Sequence, residues 1–273
     1  MAVRGENPIA VPDDVAEALA LAGPRLGRLG TRVSWYADIS STNDEALALA
    51  DRGAEEGWLV GADAQSAGRG RHGRVWASPA GGGLYLSAVL RPPPHAVRLL
   101  TLAAGVAVAE GIQAATGASA GVKWPNDVYL PLSRPRKVAG ILAEANASGA
   151  QVEYVVVGMG INVGHASWPP DVSERATSIE AELGRSVDRG GVAAEICAAL
   201  WNRYQQLVTG DDSAVLHAWR ARGVATFGRG VEWESGGQTC RGVARDVDEA
   251  GALVVDTADG EARVASGEVR WLT

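Results

Sequence analysis

The sequence predicts an α+β protein. A mixed, largely antiparallel sheet carries helices over residues 31–223, a small antiparallel β-barrel closes the chain over 224–273, and a helical segment leads it over 1–30. Three observations point there. Strand and helix patterns alternate in the first 115 residues, residues 122–163 are strand-rich, and short segments with frequent turn signals follow Arg222-Gly223.

Residues 12–22 (PDDVAEALALA) read as a helix opened by proline and acids and closed at Gly23-Pro24. A strand follows at 32–39. The run Ser40-Ser41-Thr42-Asn43-Asp44-Glu45 starts a helix reaching about Gly53, with Thr42 and Glu45 at capping-box spacing. A strand at 58–62 leads into the loop GRGRHGRVW at 68–76, and another, LYLSAVL, follows Gly81-Gly82-Gly83. Residues 97–115 form an alanine-rich apolar helix, expected to be covered by the sheet. Then come strands VKWPNDVYL, KVAGILAEA and QVEYVVVGMGINV, the last two a hairpin turning around 146–149. Residues 191–222 give two helices broken at Gly210-Asp211-Asp212, with Asp211 or Asp212 as N-cap. Strands at 230–234, 238–246, 252–256 and 261–265 have the rhythm of a barrel of about 50 residues.

Composition narrows the function. With 47% hydrophobic and 21% charged residues the chain is an ordinary globular protein, and no window approaches the run of about 20 apolar residues that a membrane span needs. The N-terminus is interrupted by Glu6, Asp13, Asp14 and Glu17, unlike a secretory signal. Cys197 and Cys240 make neither a disulfide framework nor a metal motif, which fits a cytoplasmic protein. A net charge of −7 argues against a protein that coats nucleic acid, so Arg69, Arg71 and Arg74 form a local positive feature suited to a small anion.

Of 25 basic residues only two are lysines, Lys123 and Lys137, 14 positions apart. Both are candidates for sites that need a compact ammonium rather than a guanidinium; chance is the alternative. In the 68–76 loop, Gly68, Gly70 and Gly73 let the backbone approach a bound group, and the arginines bring forked donors to phosphate or carboxylate oxygens. Trp76 would stack on a flat ring or cap the site. A nucleic-acid segment or an inert loop remain the other readings. In Lys123-Trp124-Pro125-Asn126-Asp127 a strand stopped by proline delivers Asn126 and Asp127 to its end, for phosphate, ribose or magnesium, or else as a capped turn. Strand alternation from Lys137 puts Lys137, Ala139 and Ile141 on one face, with Gly140 marking a close approach. Gly158, Gly160 and Asn162 end the partner strand. The four histidines are scattered, there is no P-loop or nucleophile elbow, and Ser40, Ser41 and Thr42 lack a base, so covalent catalysis has no support.

The ordered set Ser41-Thr42-Asn43, Gln65, Gly68 to Trp76, Lys123 to Asp127, Lys137 to Leu142, and Gly158-x-Gly160-x-Asn162 resembles the biotin protein ligases over roughly residues 32–273. The resemblance implies a class II synthetase-like catalytic domain with an SH3-like C-terminal barrel. It implies that ATP, with Mg2+, activates biotin to biotinyl-AMP, and that biotin then passes to a lysine of a biotin carboxyl carrier domain. Ser41, Thr42, Asn43, Gln65, Gly68, Gly70, Arg71, Lys137 and Gly140 are implied at biotin, and Arg69, Arg71, Arg74, Trp76, Lys123, Asn126 and Asn162 at ATP or the adenylate. Lys137, Arg71 and Arg69 are the implied catalytic residues and Asp127 the implied magnesium ligand. About 30 residues before the first strand are too few for a helix-turn-helix domain, so no DNA partner or repressor role is expected, and no membrane partner. The protein is expected to act as a monomer or weak homodimer. A lipoate ligase is the nearest alternative within the fold, and a nucleic-acid-binding regulator the alternative from another class.

Overall fold

The computed structural model describes residues 7–130, 133–148, 151–165, 168, 170–265 and 269–272. Seven strands build the main sheet: β1 Arg32–Tyr36, β2 Trp58–Ala62, β3 Gly83–Leu90, β4 Gly121–Lys123, β5 Asp127–Leu130, β6 Arg136–Ser148 and β7 Gln151–Asn162, in the order β1-β2-β3-β7-β6-β5-β4. Only β1 and β2 run parallel, and their crossover carries helix α2 (Thr42–Asp51), while α1 (Asp13–Ala22) precedes β1. Every other neighbouring pair is antiparallel.

One face of the sheet is covered by α3 (Leu100–Thr116), with two short helices, α4 (Pro170–Ser173) and α5 (Ile179–Leu183), preceding the long α6 (Arg189–Val208) and α7 (Asp212–Arg222). The stretch Pro94–Thr116 is apolar and long enough to pass as a membrane span, contrary to the expectation from composition. Its apolar residues are instead spent on the core: Leu100, Val106, Val108 and Ile112 are fully buried in one cluster with β3, β6, β7 and α6. The opposite face is only half covered. There Ala46 and Ala50 of α2 pack with Tyr36, Val60, Val89, Tyr154 and Val156, and beyond α2 the sheet faces a cavity.

Strands β8 Gly230–Ser235, β9 Gln238–Val247, β10 Leu253–Thr257, β11 Gly260–Val264 and β12 Val269–Trp271 form a second, antiparallel sheet ordered β11-β10-β9-β8-β12. The fifth of these was not foreseen: three residues are too few to show alternation. The apolar core runs unbroken from the first sheet into the second, joining Leu99 and Trp124 to Val231, Val247 and Val255.

Several boundaries moved for identifiable reasons. The α2 N-cap is Ser41, whose hydroxyl accepts from Asp44 N–H, one residue before the expected box at Thr42. The stretch VKWPNDVYL splits into β4 and β5 around a turn with a cis Trp124–Pro125 peptide. The hairpin strands pair as far as Ser148 with Gln151, so Asn146 and Ala147 belong to the ladder; Gly149 of the expected turn lies outside the described residues, as do Pro131 and Leu132.

Candidate active site

The cavity has a volume of about 680 Å³, and its two ends differ in chemistry. At one end stands the N-terminus of α2. Buried Thr42 donates to Gln65 Oε1 from its backbone N–H at 2.9 Å and its hydroxyl at 3.2 Å, while Gln65 Nε2 donates to Ser78 Oγ at 2.9 Å. Ser87 Oγ lies 2.8 Å from Thr42 Oγ1 and 2.6 Å from Asn43 Oδ1, and Asn43 Nδ2 donates to Leu142 O and Glu144 Oε2. A satisfied polar network of this kind fixes each rotamer before a ligand arrives. It fits only because Gly158 has no side chain: a Cβ there would sit 2.0 Å from Asn43 Oδ1.

The loop at 68–76 folds over the cavity with hydrogen bonds of its own, Gly70 N–H to Arg74 O at 2.7 Å and Trp76 N–H to Gly68 O at 2.8 Å, around a turn at Arg71–Gly73. Arg69 grips Glu144 through two bonds of 2.9 and 2.6 Å and also pairs with Asp44 at 2.7 Å. It therefore ties the loop to β6 and α2, and its donors are committed to protein carboxylates. Arg71 is different. It lines the cavity, half-buried, its guanidinium making no ion pair or hydrogen bond among the described residues, and burial lowers its pKa while Asp127 partly restores it. An uncompensated guanidinium in that setting favours an anion. Trp76 lies across Gly140 and Gly160, which face each other in the β6–β7 ladder; a Cβ would come within 3.0 Å of its ring at the first and 2.5 Å at the second. Gly68 is not on the cavity wall: it packs behind, where a Cβ would meet Trp76 O at 2.5 Å.

Lys137 reaches the cavity by a route that simple alternation misses. Opposite β5, Val128 pairs with Ala139 and the next residue, Tyr129, pairs with Lys137, so Val138 bulges out of the ladder. The bulge changes the parity of the strand. Val138, Ala139 and Ile141 point into the apolar core, and Lys137, Gly140 and Leu142 face the cavity. The expectation that Lys137 shares a face with Ala139 and Ile141 is thus corrected, and Gly140 becomes its neighbour, 3.3 Å from Nζ to a built Cβ. Lys137 Nζ sits 2.5 Å from Asp127 Oδ1 and over the Trp76 ring at 5.2 Å. Its backbone is clamped by the segment before α5, Lys137 N–H to Arg175 O at 2.8 Å and Thr177 N–H to Lys137 O at 2.9 Å.

Asn126 and Asn162 line the cavity while bracing it. Asn126 Nδ2 donates to Ile141 O at 2.8 Å, and Asn162 Nδ2 to Thr177 O at 3.0 Å. Lys123 stands with Tyr129, and burial lowers its pKa, against the opposing pull of Asp127. Sequence reasoning missed Tyr129, Trp168, Val172, Arg175 and Trp271, all on the cavity wall. Tyr129 stands on β5, Trp168, Val172 and Arg175 in and around α4, and Trp271 on the last strand, and no local pattern marks them.

Among the described residues the wall carries Arg69, Arg71, Arg74, Lys123, Lys137 and Arg175 and one carboxylate, Asp127, with Arg69 paired to Glu144 and Asp44 behind it. Such a surface fits a polyanion at one end and, at the α2 end, a neutral group able to exchange hydrogen bonds.

Residues 35–162 match the Biotin/lipoate A/B protein ligase family and residues 226–270 the Biotin protein ligase C terminal domain. The biotin–[acetyl-CoA-carboxylase] ligase of Mycobacterium tuberculosis is 40% identical over 85% of this chain and 86% of its own length. That of Paracoccus denitrificans is 35% identical over 85% and 98%, and the bifunctional ligase/repressor BirA of Bacillus subtilis 33% identical over 97% and 82%. The biotin protein ligase from Aquifex aeolicus in complex with biotin and ATP superposes with a TM-score of 0.76 at 27% identity, over 89% of this chain and 99% of that one. The chain belongs to the biotin protein ligase family.

Proposed function

We propose that the protein activates biotin with ATP to biotinyl-5'-AMP and transfers biotin to a lysine of a biotin carboxyl carrier domain. The observation that carries the reading is the cavity wall itself, where Lys123, Lys137 and Arg71 gather around the one carboxylate among the described wall residues, Asp127, and adjoin a preorganised neutral end at Ser41, Thr42, Asn43 and Gln65. In the first step a biotin carboxylate oxygen attacks the α-phosphorus and pyrophosphate leaves. Two anions must meet, so the protein's contribution is positioning and positive charge. Lys137 and Arg71 both line the cavity, one paired with Asp127 and the other with no ion pair among the described residues. Lys137 exchanging Asp127 for a phosphate oxygen would follow charge as it develops. In the second step the acceptor amine attacks the acyl carbonyl and AMP leaves, with no covalent enzyme intermediate.

Magnesium enters this proposal with the nucleotide. Among the described residues no three His, Cys, Asp or Glu side chains converge on a metal site, and Asp127 is the one carboxylate on the wall. Asp127 would hold the ion as a single protein ligand, phosphate oxygens and water supplying the rest, and the ion would neutralise phosphate charge. Several relatives are named ligase/repressors; the net charge of −7 favours no DNA binding here, which a mobility shift at physiological salt measures directly.

The test is the mass of a carrier domain after incubation with the protein, ATP, magnesium and biotin, together with ATP–pyrophosphate exchange. A biotin-sized gain and biotin-dependent exchange are expected. Exchange driven by lipoate and not by biotin would overturn the reading.

A further inference from the structure

The cationic end of the cavity is completed from the far end of the chain. Trp271, the last residue of β12, lines the same cavity as Lys123. The Lys123 ammonium lies 4.8 Å from the Trp271 ring centroid and 5.1 Å from that of Tyr129. Both rings are within the range of cation–π attraction, which strengthens as the cation loses water. Lys123 needs such support: burial disfavours its charged form, and its long stem has many rotamers to lose.

The C-terminal segment is fixed to this spot through Trp124, the residue after Lys123. Trp124 N–H donates to the buried Thr226 Oγ1 at 2.9 Å, and Trp124 Nε1–H donates to Gly251 O at 3.0 Å. Trp271 is itself registered by pairing with Val231 of β8. The turn that carries Lys123, Asn126 and Asp127 is therefore gripped by the C-terminal sheet, and the same sheet lays an aromatic face against Lys123.

We propose that Trp271 is a positioning residue for adenylation: with Tyr129 it holds the Lys123 ammonium where a nucleotide phosphate meets it, which makes the C-terminal sheet part of the adenylation site. The proposal rests on the reading that the cationic end takes ATP. Trp271 then acts through Lys123, and its loss is felt only while Lys123 is present.

The experiment is calorimetric titration, with biotin present, of an ATP analogue whose α- and β-phosphorus are joined by a methylene group, so that no reaction follows. Trp271→Leu is expected to weaken binding about tenfold and Trp271→Phe by less than about threefold, the size of a desolvated cation–π contact. In Lys123→Met protein the further change Trp271→Leu is expected to add less than about twofold, since coupled residues are not additive. Trp271→Gln serves if the leucine variant does not fold. Loss of the full factor in the Lys123→Met background, or wild-type affinity in both Trp271→Leu and Trp271→Gln, would overturn the coupling alone. Failure of the wild type to bind the analogue would remove the nucleotide reading as well.

Discussion

The two ends of the cavity are built by opposite means. At the α2 end the polar groups are neutral, largely buried and already bonded to one another, from Gln65 through Thr42 and Ser87 to Asn43, with Ser41 capping α2 beside them. At the other end the groups are charged, Lys137 and Lys123 leaning on Asp127 and on aromatic faces, with Arg71 in no ion pair among the described residues. The first kind of site pays for its order during folding and selects by shape and hydrogen bonds; the second keeps charge in reserve for a ligand that brings its own. The lid spans both. Arg69 fastens it through Glu144 and Asp44 near the neutral end, and Arg71 hangs from it over the charged end.

The largest effect expected from breaking this division is at Lys137. Both Lys137→Ala and Lys137→Arg should lose at least about a hundredfold in biotin-dependent pyrophosphate exchange, because a guanidinium cannot take the ammonium's place beside Asp127 and over Trp76. Full activity of the arginine variant would show that charge alone suffices. Next comes Arg71→Ala. Loss of a charge-assisted contact to ligand should cost about 1.5–3 kcal/mol, or roughly tenfold to a hundredfold in exchange rate, with little change in melting temperature.

Gly158→Ala attacks the other end. Its methyl group would displace Asn43 from Ser87 and Glu144, and overpacking of this kind costs about 1–3 kcal/mol. A lowered melting temperature and weakened biotin affinity should appear together; a variant with both unchanged would show that the network is not preorganised. The smallest effect belongs to Arg69→Gln. As a partly exposed pair with Glu144 and Asp44, it should change exchange by less than about tenfold while reducing hydrogen-exchange protection across 68–76. A loss as large as that of Arg71→Ala would mean that Arg69 also meets the ligand.

The same contrast separates what could be read from the sequence. Helices and long strands were legible because periodicity and caps are local, as at α1, α7 and the β6–β7 pair. Lys123 and Lys137 stood out by scarcity alone, and the ordered motifs located most of the cavity wall. The face of Lys137 was misread because a bulge at Val138 depends on pairing with β5, which no window of β6 contains. Likewise Gly68 looked like a ligand contact but is needed for close packing behind Trp76. Trp271 and Arg175 were invisible for a third reason: they reach the site through long-range topology, one from the last strand of a second sheet and one from a connecting segment that clamps Lys137.

The division itself is tested most directly by titrating biotin and the unreactive ATP analogue separately into two variants, Gly158→Ala and Lys123→Met. Gly158→Ala should weaken biotin about tenfold and leave the analogue within about twofold, and Lys123→Met should do the reverse. Equal weakening of both ligands by either variant would contradict a cavity with two chemically distinct ends.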